Sequence, residues 1–419
     1  MADELYFGLD IGSSTIRIAV CSYQVSPSKE GSLHLIGAVE AKSAGVHKGS
    51  ISSLEEAVGA ISKALEKSER LTGVVVNHAW VAISGQNILV QSSQGVVAVS
   101  RPQGEIEVGD VERVMEAART VATPTNYEIL HVIPKSFTID GQSGIKDPVG
   151  MSGIRLEVDA VIIEALSSHI RSLTRSVYRT GLEIDDLVYA PLATAEAVLT
   201  PKQKELGVCV VSIGSATTTL AIFEEGDLLH TAVIPIGGDH ITSDIAIALR
   251  ISIDSAEEIK RSLGTALPEA LDRREQLALK DYGVDSEEQF KPRFVAEVIE
   301  ARLEEICEGI DTELQAVDRS GLLPIGVIFT GGAFKLPGSL ELAKRVLRLP
   351  CAFGTPQGIE SVLDEVVDPA FATAIGLALW GRGVKEQNGQ KWNPFKGIGA
   401  GWLKSVGILI KTWFRRLSP

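Results

Sequence analysis

Two stretches of the chain carry small and hydroxyl residues at a spacing suited to phosphate chemistry. Residues 6–20 read YFGLDIGSSTIRIAV and residues 208–223 read VCVVSIGSATTTLAIF. Each is an apolar run, an Ile-Gly, two small residues, a Thr and a second apolar run. Small residues in a turn let backbone N–H groups approach a phosphate without Cβ clashes, and Ser and Thr hydroxyls add donors. The candidate contacts are Gly12, Ser13, Ser14 and Thr15 in the first copy. Gly214, Ser215, Ala216 and Thr217 are their counterparts in the second. A single copy is no more than a β-turn. Two copies about 200 residues apart could grip a triphosphate from both sides. The copies differ at one position, where the first strand ends on Asp10 and the second on Ser212.

A third element, VIFTGGAFKLPG at 327–338, runs an apolar strand into Gly331, Gly332 and Ala333. Glycines followed by a helix allow close backbone approach to a ribose or base; a tight turn is the plainer alternative.

The end of the chain suggests a different chemistry. In 401–417, GWLKSVGILIKTWFRRL, one helical arc at 100° per residue collects Trp402, Leu403, Val406, Leu409, Ile410, Trp413, Phe414 and Leu417. Lys404, Lys411 and Arg415 fall opposite, Arg416 lies at the arc's edge, and Ile408 alone is misplaced. This pattern is an amphipathic helix with an aromatic apolar face and a basic polar face. Basic residues near anionic lipid contribute about 1 kcal/mol each. A terminal helix packed on the body is the alternative.

The bulk composition bounds these readings. The 419 residues suggest more than one domain. The net charge of −14 argues against nucleic acid as a partner. Residues 391–419 hold six Lys or Arg and no acid, so the rest of the chain carries −20, the −14 of the whole less the +6 of this segment. Cys21, Cys209, Cys307 and Cys351 are too scattered for a metal site or disulfide framework. No secretory signal opens the chain, and no run approaches the roughly 20 apolar residues of a membrane span. These features predict a cytoplasmic protein.

The elements that must position the turns alternate between strand and helix. Strands are predicted at 6–9, 16–20, 33–39, 81–83, 95–99, 129–137, 154–163 and 325–330. Helices are predicted at 54–68, 108–121, 167–179, 241–249, 254–260 (with Asp254 as cap), 339–347 and 371–380. Residues 187–199 cover a strand and the start of a helix. Residues 265–320 read as polar and mostly helical. Residues 382–399 read as a linker rich in Gly, Asn, Lys and Gln.

Together the three elements resemble the two phosphate loops and the adenosine loop of the actin-like ATPase fold. Within that fold the chain resembles the FtsA family, bacterial actin homologues of cell division. The resemblance rests also on HVIP (131–134), GIKDPVGMSGIRL (144–156), KELGVCVV (204–211), HTAVIPIGGDHITSDIA (230–246) and FTGGA (329–333). It implies an α/β, two-domain architecture of duplicated ribonuclease-H-like domains. Subdomain 1A would comprise 1–81 and 164–200, closed by a helix at 370–381. An inserted α+β subdomain 1C would span 82–163. Subdomain 2A would comprise 201–240 and 326–369, and subdomain 2B 241–325. A linker at 382–399 would lead to a membrane-targeting helix at 400–419.

The resemblance further implies ATP and Mg²⁺ as cofactors. Asp10 would organise the ion indirectly, Gly238 would join the phosphate contacts, and Glu257 and Lys260 would reach the adenosine. Those two are three apart and share a helix face, so a surface ion pair is an equal alternative. The implied partners are the FtsZ C-terminal tail, other copies of the chain in a head-to-tail polymer, anionic lipids, and later division proteins through subdomain 1C. The implied place is the cytoplasmic face of the membrane at the septum.

The chain departs from the family pattern at two points. Ser212 stands where the second loop ordinarily begins with Asp, an acid that helps hold Mg²⁺ and orient water. Ala190 precedes Pro191 where hydrolysing relatives carry Glu or Gln, and Glu196 lies six residues beyond. The expectation is an ATP-binding scaffold with weak or absent hydrolysis. The alternatives are an adaptor like PilM of type IV pilus assembly, which lacks such a tail, and a small-molecule kinase of the same fold.

Overall fold

The computed structural model describes residues 4–24, 32–100, 104–120, 123–361 and 368–389. The amphipathic segment 400–419 and residues 390–399 lie outside them.

Strand β1 (Glu4–Ile11) turns through Gly12–Ser14 into β2 (Thr15–Gln24), and β3 (Ser32–Lys42) continues the meander. A two-residue hairpin, β4 (Val46–His47) and β5 (Ser50–Ile51), turns at Lys48 and Gly49, both with positive φ. Helix α1 (Leu54–Thr72) carries Glu55 and Glu56 in its first turn and ends on Gly73 in the left-handed region, as its dipole and C-cap favour. Its buried face runs through Ala57, Ala60, Ile61, Ala64 and Ser68; of the Leu54-Val58-Ile61-Leu65 face that hydrophobicity suggests, Ile61 is buried and the others half-buried. Strand β6 (His78–Ile83) returns parallel to β1.

Next comes an inserted module: β7 (Ile88–Ala98), α2 (Val108–Arg119), β8 (Tyr127–Ile139), β9 (Gln142–Ile145) and β10 (Arg155–Leu166). Its sheet, ordered β7-β10-β8-β9, has a core of its own around Val111, Val114, Phe137 and Ile162. The chain then rejoins the first domain through α3 (Ser167–Tyr178), β11 (Glu183–Tyr189) and α4 (Ala190–Val198). Helix α5 (Pro201–Leu206) leads to the second domain.

That domain repeats the first. β12 (Val208–Ile213), β13 (Thr218–Glu224) and β14 (Asp227–Ile234) form an antiparallel meander. Helices α6 (Gly238–Leu249) and α7 (Ile253–Leu263), the short β15 (Leu277–Ala278) and β16 (Gln289–Phe290), and α8 (Pro292–Gln315) follow. β17 (Gly326–Thr330), α9 (Ser339–Leu347) and β18 (Cys351–Phe353) complete its sheet. β19 (Ile359–Glu360) crosses to β3, and α10 (Ala372–Gly389) returns to the first domain. The two sheets share one plan. Setting β19 aside, β11-β6-β1-β2-β3 corresponds strand for strand to β18-β17-β12-β13-β14.

Helix α10 packs directly on β1 and α4. A Cβ on Gly8 would lie 1.9 Å from the Ala374 carbonyl oxygen, and one on Gly376 would lie 1.8 Å from that of Ala193. The module is tied to both domains. His131 Nε2 accepts from the Tyr189 backbone N–H at 3.0 Å, while Lys146 pairs with Asp227 and donates to the Glu225 carbonyl at 3.2 Å.

Four details differ from the sequence expectation. Residues 382–389 are not linker but the last two turns of α10. There Lys385 pairs with Glu4 at 2.9 Å and lies over the Tyr6 ring, and Arg382 lies over Tyr23. Residues 265–291 are 3-10 turns and short strands, because Gly264, Pro268 and Gly283 punctuate a stretch without helical periodicity; the helix starts at Pro292. Helix α7 is capped by Ser252, whose Oγ accepts from Ser255 N at 3.1 Å, and Asp254 sits in the first turn. Helix α2 stops at Arg119. All four cysteines are free and buried.

Candidate nucleotide cleft

The two Gly-x-x-Thr turns are built alike. Gly12 N donates to the Thr15 carbonyl at 3.0 Å, and Gly214 N to that of Thr217 at 2.9 Å. A Cβ on Gly12 would stand 2.8 Å from the Thr15 oxygen, and on Gly214 3.2 Å from the Thr217 oxygen. The first turn is propped by the β4–β5 hairpin. Gly49 N donates to Ser13 Oγ at 3.0 Å and Ser43 N to the Ser14 carbonyl at 2.9 Å. The Ser13 hydroxyl keeps its hydrogen for another acceptor.

The second turn is propped by the start of α6. Gly238 N donates to the Gly214 carbonyl at 2.9 Å and Asp239 N to that of Ser215 at 2.6 Å. A Cβ on Gly237 would sit 2.6 Å from the Gly214 oxygen. Gly238 therefore shapes the turn through its own N–H. Its carbonyl accepts from Lys260 Nζ at 3.3 Å, which brings α7 to the same place.

Lys260 and Glu257 do share a face and pair at 2.5 Å, with Thr242 Oγ1 bonded to both, at 2.7 Å from Lys260 and 2.6 Å from Glu257. Burial works against the Glu257 carboxylate, but hydrogen bonds from Lys260, Thr242 and Arg261 outweigh it and hold its pKa below the ordinary value. The ion-pair reading of Glu257 and Lys260 holds, and the pair lies beside the second turn.

Gly331, at φ +88°, brings the third element onto the second. Its Cβ would lie 2.4 Å from the Ile213 oxygen, and a Cβ on Gly238 would lie 2.7 Å from Ala333 Cβ. Gly331 N donates to the Pro369 carbonyl at 3.2 Å. Gly332 faces the first domain, its Cβ position 3.6 Å from Arg17 Nη2. The elements predicted to hold a nucleotide thus converge.

The two halves differ in charge. Strand register sets Asp10 opposite Arg17 and Arg17 opposite Glu40, an acid–cation–acid row across β1, β2 and β3. In the second domain the matching row across β12, β13 and β14 is Ser212, Thr219 and Val233, with no charge at all. Burial pushes the Asp10 carboxyl above its usual pKa, and the Arg17 charge draws it partly back. Burial likewise raises Asp239, against the pull of Lys260. Among the described residues no group of three or more His, Cys, Asp or Glu could hold a metal. An ion bound to phosphate with Asp10 beside it would fit this donor set.

Ala190 opens α4 with Pro191 in its first turn, and Glu196 is bound to Lys204 at 3.1 Å. Sequence reasoning did not single out Arg17, Glu40, Thr242 or Asp239. The first was recoverable: a hairpin closing on Gly12 and Thr15 must pair Asp10 with Arg17.

A family model described as "Cell division protein FtsA" matches residues 209–376, and one described as "SHS2 domain inserted in FTSA" matches residues 85–164. The cell division protein FtsA of Pseudomonas aeruginosa is 36% identical over 378 residues, 90% of this chain and 89% of that protein. The chain belongs to the FtsA family. Solved structures similar to this FtsA-family chain include a PilM-PilN type IV pilus biogenesis complex, with a TM-score of 0.64 at 18% identity, covering 90% of this chain and 98% of the other. They also include MreB5 of Spiroplasma citri bound to ADP, with a TM-score of 0.54 at 12% identity, covering 93% and 99%. The fold is actin-like, with the SHS2 module inserted in its first domain. No described helix is long and apolar enough to cross a membrane.

Proposed function

We propose that this cell-division protein binds ATP with Mg²⁺ between its two turns, polymerises head to tail, and tethers FtsZ filaments to the inner face of the cytoplasmic membrane at the septum. The observation that carries the nucleotide reading is the pair of matched turns with Gly331 and Gly332 beside them. The bound ion would neutralise phosphate charge. The chain's own part is to present backbone N–H and hydroxyl donors from both domains, so that one ligand favours the closed arrangement.

Hydrolysis needs a positioned water as well as donors. Ser212 and Ala190 supply no carboxylate, and Glu196 is engaged by Lys204. ATP is then an assembly ligand, hydrolysed slowly or not at all. The proposed membrane contact is the amphipathic stretch 401–417. The inserted module is the proposed surface for later division proteins. The FtsZ tail is assigned to subdomain 2B, where a groove of 910 Å³ is lined by Arg250, Arg273 and Lys291 beside Phe290 and Phe294, with Glu288 on the same lining and Arg293 paired to Glu297 at 3.1 Å.

Electron microscopy of the full chain on an anionic lipid monolayer tests the reading. Membrane-bound filaments that need ATP are expected. Their absence favours a non-polymerising adaptor, and turnover at the rate of a dedicated ATPase overturns the assembly-ligand role.

A further inference from the structure

The turn between β13 and β14 is where three parts of the chain meet. Glu225 and Gly226 both have positive φ, at +53° and +85°, as a two-residue hairpin loop requires. Their N–H groups donate to the Glu205 carbonyl at 3.0 Å and the Lys204 carbonyl at 3.2 Å. Both acceptors belong to α5, by which the chain enters the second domain. The inserted module is the third part. Lys146, just past β9, pairs with Asp227 and donates to the Glu225 carbonyl. Among the described residues these are the module's hydrogen bonds to the second domain. Phe223 pairs with Leu228 and Ile222 with His230, so Leu229 is an extra residue on β14. Such a bulge bends a strand and re-aims the side chains beside it, Asp227 here. Burial raises the Asp227 pKa, Lys146 opposes that rise, and Glu225 and Glu205 add to it. The lysine supplies the cation that this acidic corner needs.

The hairpin and the module each have a second end. β13 starts at Thr218, directly after the Ser215–Thr217 turn, and its seven residues span about 23 Å at roughly 3.3 Å each. One hairpin therefore reaches from the candidate phosphate turn to Lys146. The module is fixed to the first domain, where Leu130, Ile133, Val161 and Ile163 share a core with Phe7 and Trp80. Lys146 opens its loop 146–155. Gly150 N donates to the Ile106 carbonyl at 2.9 Å, Gly153 N to that of Gly104 at 2.8 Å, and Ile154 N to Asp140 Oδ2 at 3.0 Å. That loop displays Met151 and Ile154, both exposed.

We propose that Lys146 and Asp227 form a relay between the cleft and the inserted module. When nucleotide shifts the second domain against the first, the β13–β14 hairpin carries the displacement to Lys146, and the loop 146–155 changes how it presents Met151 and Ile154. Coupling between distant sites needs a contiguous path and an element with two positions, and the hairpin tip at the chain's crossing between domains is that element. The apolar surface that the module offers to partners then depends on nucleotide state. The inference rests on the nucleotide reading above.

Hydrogen–deuterium exchange of the full chain, with and without saturating Mg-ATP, tests it. The readout is the stretch 142–156, whose bonded amides at Gly150, Gly153 and Ile154 report loosening of the loop. Lys146→Gln, Asp227→Asn and the exchanged pair, Lys146→Asp with Asp227→Lys, are compared with wild type, and calorimetry checks that each binds ATP. In wild type, Mg-ATP is expected to change exchange across 142–156. Each single variant should bind ATP and lose that change. The exchanged pair should regain it, because the contact returns with its charges reversed; an exchanged pair no better than the single variants counts against the relay. A purely structural ion pair predicts another pattern. Exchange in 142–156 then rises in the single variants equally with and without ATP, and the ATP-dependent difference keeps its wild-type size. That result overturns the proposal, as does a wild type that binds ATP with no change in 142–156. Should Lys146→Gln not fold, as a thermal melt would reveal, Asp227→Asn carries the comparison. A wild-type chain that ignores millimolar ATP in calorimetry removes the nucleotide reading itself, a failure distinct from the others.

Discussion

At Gly331, backbone meets backbone. Its φ of +88° suits glycine, and a methyl group there would press into the Ile213 carbonyl at 2.4 Å. Gly331→Ala therefore combines a left-handed backbone penalty with an overlap that no rotamer relieves, a loss of about 1–3 kcal/mol. The expected result is a lower melting temperature and an ATP-induced shift that disappears; a variant melting like wild type with its shift intact contradicts the packing described. The turn residues were legible in the sequence because Gly, Ser and Thr at fixed spacing have few other uses. Arg17 was not, since an arginine inside an apolar strand reads as an interruption until register is counted. The roles of Gly237 and Gly238 could not be read either, because nothing local says whose carbonyl a glycine N–H will meet.

Among the elements, β11 carries an acid with unusual titration. Asp186 Oδ1 accepts from Leu187 N at 2.9 Å, Oδ2 has no partner among the described residues, and burial pushes the carboxyl up to about 7. An unfolded Asp titrates near 3.9. Between these values the folded state holds a proton that the unfolded state has lost, so this group's contribution to stability falls as pH rises and is gone above about 7. His131 does the reverse. Burial lowers it to about 4, so its contribution is present above about 6.5 and is lost as pH falls toward 4. The two oppose each other from about pH 4 to 6.5. Denaturant melts of Asp186→Asn and wild type from pH 4 to 8 should therefore diverge, the variant gaining on the order of 2–4 kcal/mol by pH 7 and no more beyond. A constant difference across that range is the contrary outcome. Elements with strong periodicity, such as α9, coincide with their predicted bounds. The stretch before Pro292 does not, because charge density alone was read as helix. The extra turns of α10 were hidden because Arg382 and Lys385 look like solvent residues until the Tyr6 and Tyr23 rings are brought beneath them.

For the whole molecule, the duplication was the most legible feature, since two copies of one motif imply two copies of one sheet plan. Their mutual approach was not, since it depends on α4, α10 and the Asp227 hairpin, each separated from its contacts by long stretches of chain. The charge division, −20 against +6, belongs to this scale as well. It predicts that an anionic bilayer repels the body and attracts the tail. Trp413→Asp should leave the protein in the supernatant when anionic liposomes are sedimented, and co-sedimentation equal to wild type counts against the anchor. The cation–aromatic hold on α10 adds a length to this picture. Lys385 is 4.7 Å from the centre of the Tyr6 ring and Arg382 4.7 Å from that of Tyr23, so α10, which runs to Gly389, is fixed to the body near its end. Residues 390–400 then span at most roughly 40 Å at about 3.5 Å each. In the proposed membrane-bound filament that length would cap the stand-off from the bilayer, a quantity that adding or deleting residues there would retune.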